Sequence, residues 1–372
     1  MTRVMTADDH RFMARAIKLA RRGLFTTHPN PRVGCVLVKD GRIVGEGYHQ
    51  RAGQPHAERL AIAAAGDQAR GATAYVTLEP CCHFGKTPPC TDGLLEAGVS
   101  RVIAAMQDPN PLVAGKGLKL LAEAGVETDC GLMEAEAQAL NPGFVSRMTR
   151  GRPYVRCKLA MSLDGRTAMA NGESQWITGP EARQDVQRLR ARSDAIMTGI
   201  GTVLADDPSM NVRIESSATD GQPLPQPLRV VLDGNLNMPA DARMLGLSGK
   251  TLVLCCSDDQ ARREALEQNG AEVEKIAGAG ESVDLPAVMT SLASREVNEL
   301  LIEAGPILAG SALSAGLIDE LIIYTAPLIM GNAARGLFHL PGLRRMGDAI
   351  SLDIRDLRMV GRDIRIVLTA PR

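Results

Sequence analysis

The chain is poor in aromatic side chains, with five Phe, four Tyr and one Trp among 372 residues, and it has no excess charge of either sign: 42 Lys and Arg face 43 Asp and Glu. A protein that grips nucleic acid needs a basic face interleaved with stacking aromatics. This composition argues against such a partner. No apolar run approaches the roughly 20 residues that a membrane-spanning helix requires. The first 22 residues are charged and amphipathic and lack the apolar core of a signal peptide, so a cytoplasmic protein is expected. Eight cysteines in a chain of this size and compartment read as metal ligands and core fillers rather than as a disulfide framework. No internal repeat or low-complexity segment is evident. At a prior of about 150 residues per domain, the length suggests two domains.

What is present is concentrated first in His56-Ala57-Glu58 and in the segment Glu79-Pro80-Cys81-Cys82-His83-Phe84-Gly85-Lys86-Thr87-Pro88-Pro89-Cys90. A histidine, a nearby glutamate that need not be a ligand, and cysteines after a proline are what a zinc-dependent deaminase requires. One imidazole and two thiolates fill three corners of a tetrahedron and leave the fourth for a water whose pKa falls to about 7. A structural zinc site would close its shell with a fourth Cys or His. Glu58, two residues from His56 at the start of a helix, can reach that water and shuttle its proton to a departing amine. The usual signature has two residues between its cysteines, whereas eight separate Cys81 from Cys90.

With that long insert, the segment from Glu79 to Cys90 resembles the bifunctional pyrimidine deaminase/reductase of riboflavin biosynthesis. The resemblance implies His56, Cys81 and Cys90 as ligands, Glu58 as proton shuttle and Cys82 as a bystander. Through the motifs His-Pro-Asn-Pro, Tyr-His, Cys-x-His-x-x-Lys and Gln-Asp-Pro-Asn-Pro it also implies that Asn30, His49, His83, Lys86, Asp108 and Asn110 hold the substrate. A phosphorylated aminopyrimidine calls for a cation at its phosphate and for amides or carboxylates at the ring edges. On residue type alone, Asn30, Asp108 and Asn110 read first as turn residues beside prolines.

Local patterning fits a mixed sheet flanked by helices. Thr6 and Asp9 form a capping box for a first helix, and Asp40-Gly41 joins strands at 33–38 and 43–48. Helices are expected at 57–65, 91–97 and 117–124, and strands at 74–78, 101–106 and 126–128. A break at Leu140-Asn141-Pro142-Gly143 and the punctuation Arg150-Gly151-Arg152-Pro153 place a boundary there, giving domains 1–150 and 151–372. Beyond it come a strand at 154–161 and a helix capped by Thr178 with Pro180 near its first position. Arg183, Arg188, Arg190 and Arg192 on that helix read as a solvated basic face. Apolar runs at 195–197, 229–232, 252–255, 300–302 and 321–324 suggest a largely parallel sheet, with Cys255 and Cys256 in its core. Residues 216–227 read as a surface loop, and 357–368 as a hairpin able to pair with a second subunit at a sheet edge. The stretch from Leu300 to Ser311 is a buried strand, a small-residue turn and a helix whose free N–H groups suit a phosphate. It is not a GxGxxG fingerprint.

The same family resemblance continues through Lys158-Leu-Ala-Met-Ser-Leu-Asp-Gly-Arg-Thr-Ala168, Gly172-Glu-Ser-Gln-Trp-Ile-Thr178, Thr202-Val-Leu-Ala-Asp-Asp-Pro208 and Glu303-Ala-Gly-Pro306. It implies a cytidine-deaminase-like domain followed by a dihydrofolate-reductase-like domain that uses NADPH. Ala160, Trp176, Thr202, Asp206 and the run Gly305, Pro306, Ile307, Leu308, Ala309, Gly310, Ser311 would contact the cofactor. Ser174, Arg190, Met210, Arg213 and Glu303 would hold the substrate, two arginines suiting a phosphate. Lys158 and Asp206 are the polar groups to test beside the ribose carbon, although Lys158 alone also reads as a snorkelling surface lysine. Zinc, NADPH, a phosphorylated pyrimidine and a homo-oligomer are the expected partners, with no membrane or nucleic acid. Two rivals stay open: a deaminase of another nucleoside or nucleic acid fused to an inactive reductase-like domain that serves dimerisation, and a non-enzymatic regulator that binds pyridine nucleotide and has a structural zinc.

Overall fold

In the computed structural model, which describes residues 4–84, 88–214, 224–279 and 282–371, the first helix starts where its cap lies. Asp9 N–H donates to Thr6 Oγ1 at 3.1 Å while Thr6 N–H donates to Asp9 Oδ2 at 2.7 Å. That closes α1 (Ala7–Ala20), whose Phe12, Met13, Ala16, Ile17 and Ala20 fall on one buried face. Contacts divide the chain into two units, Met1–Gly151 and Arg152–Arg372.

In the first unit β1 (Gly34–Lys39) and β2 (Arg42–Tyr48) form a hairpin. Asp40 and Gly41 between them take positive φ angles of 51° and 73°, as a primed turn demands. After α2 (Ala57–Ala65) come β3 (Thr73–Val76), α3 (Cys90–Glu96), β4 (Arg101–Ala104), α4 (Lys116–Glu123) and β5 (Glu127–Cys130). The sheet order is β2-β1-β3-β4-β5, antiparallel through β3 and parallel beyond it, the expected mixed sheet. Alternation along β1 divides the core: Val36 and Val38 face α1, whereas Cys35 and Leu37 face α2. Helix α2 presses backbone to backbone on β2. A Cβ added at Gly45 would lie 2.2 Å from Ala61 O, and one at Gly47 would lie 2.3 Å from Ala57 O. The break at 140–143 separates α5 (Glu134–Leu140) from α6 (Pro142–Arg150), with the proline at the first position, where its missing N–H goes unneeded.

The second unit opens with β6 (Tyr154–Ser162), β7 (Arg166–Ala168), α7 (Pro180–Ala191), β8 (Ala195–Gly199), α8 (Ile200–Asp206), β9 (Leu228–Leu232) and β10 (Thr251–Cys255). Then follow α9 (Gln260–Gln268), β11 (Ala271–Lys275), β12 (Gly278–Ala279), β13 (Ser282–Val283), α10 (Leu285–Ser294) and β14 (Glu299–Ile302). The chain ends with α11 (Pro306–Ser314), β15 (Glu320–Ala326), β16 (Arg335–Gly336), β17 (Asp353–Val360) and β18 (Asp363–Thr369). The main sheet runs β11-β10-β9-β8-β14-β6-β15-β18-β17. It is parallel from β11 to β15, and an antiparallel β18–β17 hairpin forms one edge. Apolar clusters cover both faces of the parallel part, which is why its central strands read as unbroken apolar runs.

Several expectations change. The cap of α7 is Gly179 rather than Thr178; its N–H donates to the buried Asp363 Oδ2 at 2.7 Å, so an acid on β18 serves where a local side chain was expected. The arginines of α7 are not one solvated face. Arg188 is exposed, but Arg183, Arg190 and Arg192 are half-buried and each has a partner: the Thr178 carbonyl, Glu303 and Glu299 respectively. Strand β11 was not anticipated: at the sheet edge Ala271 and Val273 alternate with polar residues, and no apolar run marks it. Cys255 is buried but Cys256, one residue past the strand, is half-buried. Of the loop expected at 216–227, residues 216–223 lie outside the described residues. No helix among the described residues is long and apolar enough to cross a membrane.

Candidate active sites

In the first unit, His56 is the N-cap of α2 and Cys90 opens α3, so two helix starts and the turn after β3 converge. His56 Nδ1 lies 3.3 Å from Cys90 Sγ and 3.6 Å from Cys81 Sγ, and the three donor atoms stand within 4.8 Å of one another. Cys90 N–H donates to Cys81 Sγ at 3.4 Å. A sulfur beside a helix N-terminus is favoured as a thiolate. The hydrogen bond from the Cys90 thiol, followed by that from His56, holds the Cys81 thiol well below its ordinary range. One imidazole nitrogen and two sulfurs, with no fourth side chain in the cluster among the described residues, fit a zinc ion with a vacant corner.

Glu58, on the first turn of α2, is 3% exposed. Burial pushes its carboxyl up to about 7, and the charge of Cys81 adds to the effect. His49 follows β2 and packs edge-on against His56, ring centroids 5.2 Å apart. The Pro55 carbonyl can only accept, so His49 Nδ1–H donates to it at 3.3 Å; Nε2 then accepts from Asn30 Nδ2 at 3.1 Å. Burial lowers the His49 pKa, in keeping with that neutral ring. Both ring nitrogens of His49 are therefore engaged within the protein, and the ring orients Asn30. Asp108 is buried and its carboxyl is pushed up to about 7, chiefly by desolvation and against the pull of a hydrogen bond from Asn110 N–H at 2.8 Å. Asn110 Oδ1 accepts from Leu112 N–H at 3.0 Å, an Asx turn, so the turn reading of these residues holds alongside any ligand role. His83 is half-buried and its Nδ1 has no hydrogen-bond partner. Lys86 lies outside the described residues.

In the second unit, the parallel strands end at one edge of the sheet, where ligands of open α/β folds gather. The register that pairs Ile302 with Cys157 brings Glu303 level with Lys158. Arg190 on α7 donates to Glu303 through Nε at 2.6 Å and Nη2 at 2.9 Å, and through Nη1 to Asn211 O at 3.1 Å. This fork is a bidentate pair. Burial lowers the Lys158 pKa, with the Glu303 charge opposing and the Arg190 charge reinforcing that shift. Lys158 is half-buried, with its ammonium in the field of Glu303 and Arg190.

Helix α11 starts at Pro306, and its cap Gly305 is exposed with open space where a Cβ would stand, so a phosphate could approach its free N–H groups. Those features fit a nucleotide cofactor. Within the run from Gly305 to Ser311, Ala309 and Gly310 are packing positions: Ala309 is buried, and a Cβ on Gly310 would lie 2.3 Å from His339 O. Trp176 is 67% exposed, with the Arg183 guanidinium 4.7 Å from its ring centroid. Ala160, Thr202 and Ser174 are half-buried, and Asp206 is exposed at the end of α8. Arg213 is exposed, and its Nη1 donates to Asn211 Oδ1 at 3.1 Å. Met210 points into the core at 3% exposure, so a ligand would meet only its backbone. Nothing in the sequence pairs Arg183 with Trp176, and the motif that contains Glu79 assigns it no task.

Together the two units define a class: a zinc deaminase joined to a reductase. Residues 6–106 match the cytidine and deoxycytidylate deaminase zinc-binding region, and residues 153–366 match the RibD C-terminal domain. The chain is 52% identical to the riboflavin biosynthesis protein RibD of Escherichia coli (strain K12) over 363 residues, 96% of this chain and 98% of that one. Acinetobacter baumannii RibD superposes with a TM-score of 0.90 at 45% identity, covering 98% of this chain and 99% of that one. A diaminohydroxyphosphoribosylaminopyrimidine deaminase/5-amino-6-(5-phosphoribosylamino)uracil reductase from Thermotoga maritima gives 0.84 at 32% identity, with 98% and 99% covered. The chain belongs to the RibD family of riboflavin biosynthesis proteins, bifunctional deaminase–reductases that use zinc and NADPH. The cytidine-deaminase-like and dihydrofolate-reductase-like folds implied by the motifs are those of the two units.

Proposed function

We propose that residues 1–150 deaminate 2,5-diamino-6-(5-phosphoribosylamino)pyrimidin-4(3H)-one at ring carbon 2, and that residues 151–372 reduce the ribosyl group to ribityl, giving 5-amino-6-(5-phosphoribitylamino)uracil. The observation that carries the first step is the convergence of His56, Cys81 and Cys90 beside the buried acid Glu58. His56, Cys81 and Cys90 would hold a zinc ion, which when bound would supply an activated water as the nucleophile. Glu58 takes the water's proton and delivers it to the amine that leaves as ammonia; a carboxyl near 7 both accepts and gives at neutral pH. Asn30, oriented by His49, together with Asp108 and Asn110, holds the ring, while His83 and Lys86 hold the phosphate.

For the second step, NADPH when bound would supply a hydride to C1′ of the ribose, and the C1′–O4′ ring bond would break as the C–H bond forms. The first turn of α11, Trp176, Thr202, Ala160 and Asp206 hold the cofactor. Ser174, Arg213, the Met210 backbone and the Arg190–Glu303 pair hold the substrate, with Arg213 as the exposed cation for its phosphate. Lys158 donates the proton that the departing ring oxygen O4′ takes up. The β17 edge strand presents Ile354, Leu357 and Met359, each more than half exposed, and supports a homodimer formed through that edge. A small-molecule substrate and a cytoplasmic location, without nucleic acid or membrane, complete the reading. A coupled assay on the diaminopyrimidine phosphate, following ammonia and NADPH together, tests it: both signals are expected, and ammonia without NADPH oxidation would overturn the second step.

A further inference from the structure

Glu79 is 3% exposed, and its two oxygens together receive three backbone N–H groups. Asp108 N–H donates to Oε2 at 3.1 Å, Gly115 N–H donates to the same oxygen at 2.8 Å, and Leu118 N–H donates to Oε1 at 3.1 Å. All three donors belong to the segment from Asp108 to Leu118, which carries Asp108 and Asn110 and starts α4. The cap of that helix is Gly115, which has no side chain to offer, so Glu79 caps it from another part of the chain. Gly117 is bare for the same close approach: a Cβ there would stand 2.1 Å from Pro80 O. We propose that Glu79 is a positioning residue for deamination, which ties the 108–118 segment to the Pro80-Cys81 corner so that Asp108 and Asn110 meet the pyrimidine. This rests on the reading of Asp108 and Asn110 as substrate contacts.

The geometry separates this task from metal binding. Cys81 is anchored through its own carbonyl, which accepts from Cys90 N–H at 3.0 Å and Thr91 N–H at 3.2 Å. Glu79 is anchored through its own N–H, which donates to Met106 O at 3.0 Å. None of these three bonds needs the Glu79 carboxylate. Within the segment, the bonds from Asn110 N–H to Asp108 Oδ1 and from Leu112 N–H to Asn110 Oδ1 shape the turn without tying it to β3. Glutamine has nearly the same shape, but its NH₂ would face a backbone N–H, donor against donor, so at least one of the three bonds is lost.

Full-length Glu79→Gln tests this against wild type, with zinc content, ammonia release, and NADPH oxidation on the deaminated substrate as a check on folding. Zinc and NADPH oxidation should match wild type, while KM for deamination rises about tenfold with a smaller change in kcat, the scale expected for one lost buried hydrogen bond. Combined with Asn110→Ala, the substitution should raise KM little further, because both act through one segment. Unchanged KM, loss of zinc, or effects of the two substitutions that simply multiply would overturn the proposal. A wild-type KM for Asn110→Ala beside a raised KM for Glu79→Gln would instead remove Asn110 as a contact, and with it this route of action. Should Glu79→Gln fail to accumulate, Glu79→Asp, which keeps the charge but loses reach, must show the same split.

Discussion

Glu58 and Lys158 are both titratable groups drawn out of water, one in each unit, with opposite consequences. Burial raises the carboxyl of Glu58 to about 7 and lowers the ammonium of Lys158, because desolvation disfavours whichever form is charged. A carboxyl near neutrality can take a proton and return it within one turnover. We therefore expect Glu58→Gln to retain zinc by elemental analysis while ammonia release falls by about 10²-fold or more, the usual contribution of a positioned acid–base group. Near-wild-type release would remove Glu58 from the proton path. Arg213 differs from Arg190 in being exposed, whereas Arg190 commits its fork to Glu303, whose carboxylate also feels the Arg213 charge. Arg213→Ala should mainly raise KM for the phosphorylated substrate in the reductive step, with kcat little changed. An unaltered KM would take the phosphate away from Arg213.

At the scale of elements, the deaminase site depends on how closely α2 lies on β2. Gly45 and Gly47 let the helix backbone approach until no side chain fits between, and His56 and Glu58 stand at its first turn. Gly47→Ala forces the helix outward at the Ala57 carbonyl, beside both residues. Overpacking of this kind costs about 1–3 kcal/mol, so Tm should fall and ammonia release should drop with it, while NADPH oxidation on the deaminated substrate persists. A variant with full ammonia release would show that α2 tolerates the shift. This dependence explains what could be read in the chain beforehand. His56 and Glu58 are two residues apart, and Pro80-Cys81 is contiguous, so local spacing already expresses the chemistry. The Arg190–Glu303 pair joins residues 113 apart, and Glu79 reaches donors 29 to 39 residues on, which no periodicity reports. Strand β11 escaped for another reason: at a sheet edge its polar residues alternate with Ala271 and Val273, whereas the buried strands announce themselves as apolar runs.

At the scale of the molecule, each unit has its own sheet and its own apolar clusters, and the residues assigned to each reaction fall within one unit. The metal donors His56, Cys81 and Cys90 belong to the first unit and Lys158, Arg190 and Glu303 to the second, so the two activities should separate when the metal is removed. Treatment with a chelator is expected to abolish ammonia release and to lower the stability of the N-terminal unit, because a ligand that binds only the folded state adds RT ln(1 + [L]/Kd) to its stability. NADPH oxidation on the deaminated substrate should continue at its original rate, and added zinc should restore ammonia release. Two transitions in a thermal scan, of which only one shifts with zinc, would show the same separation in stability. If chelation instead stopped both reactions together, the metal would be needed by the reductase as well, and the assignment of one chemistry to each unit would have to be abandoned.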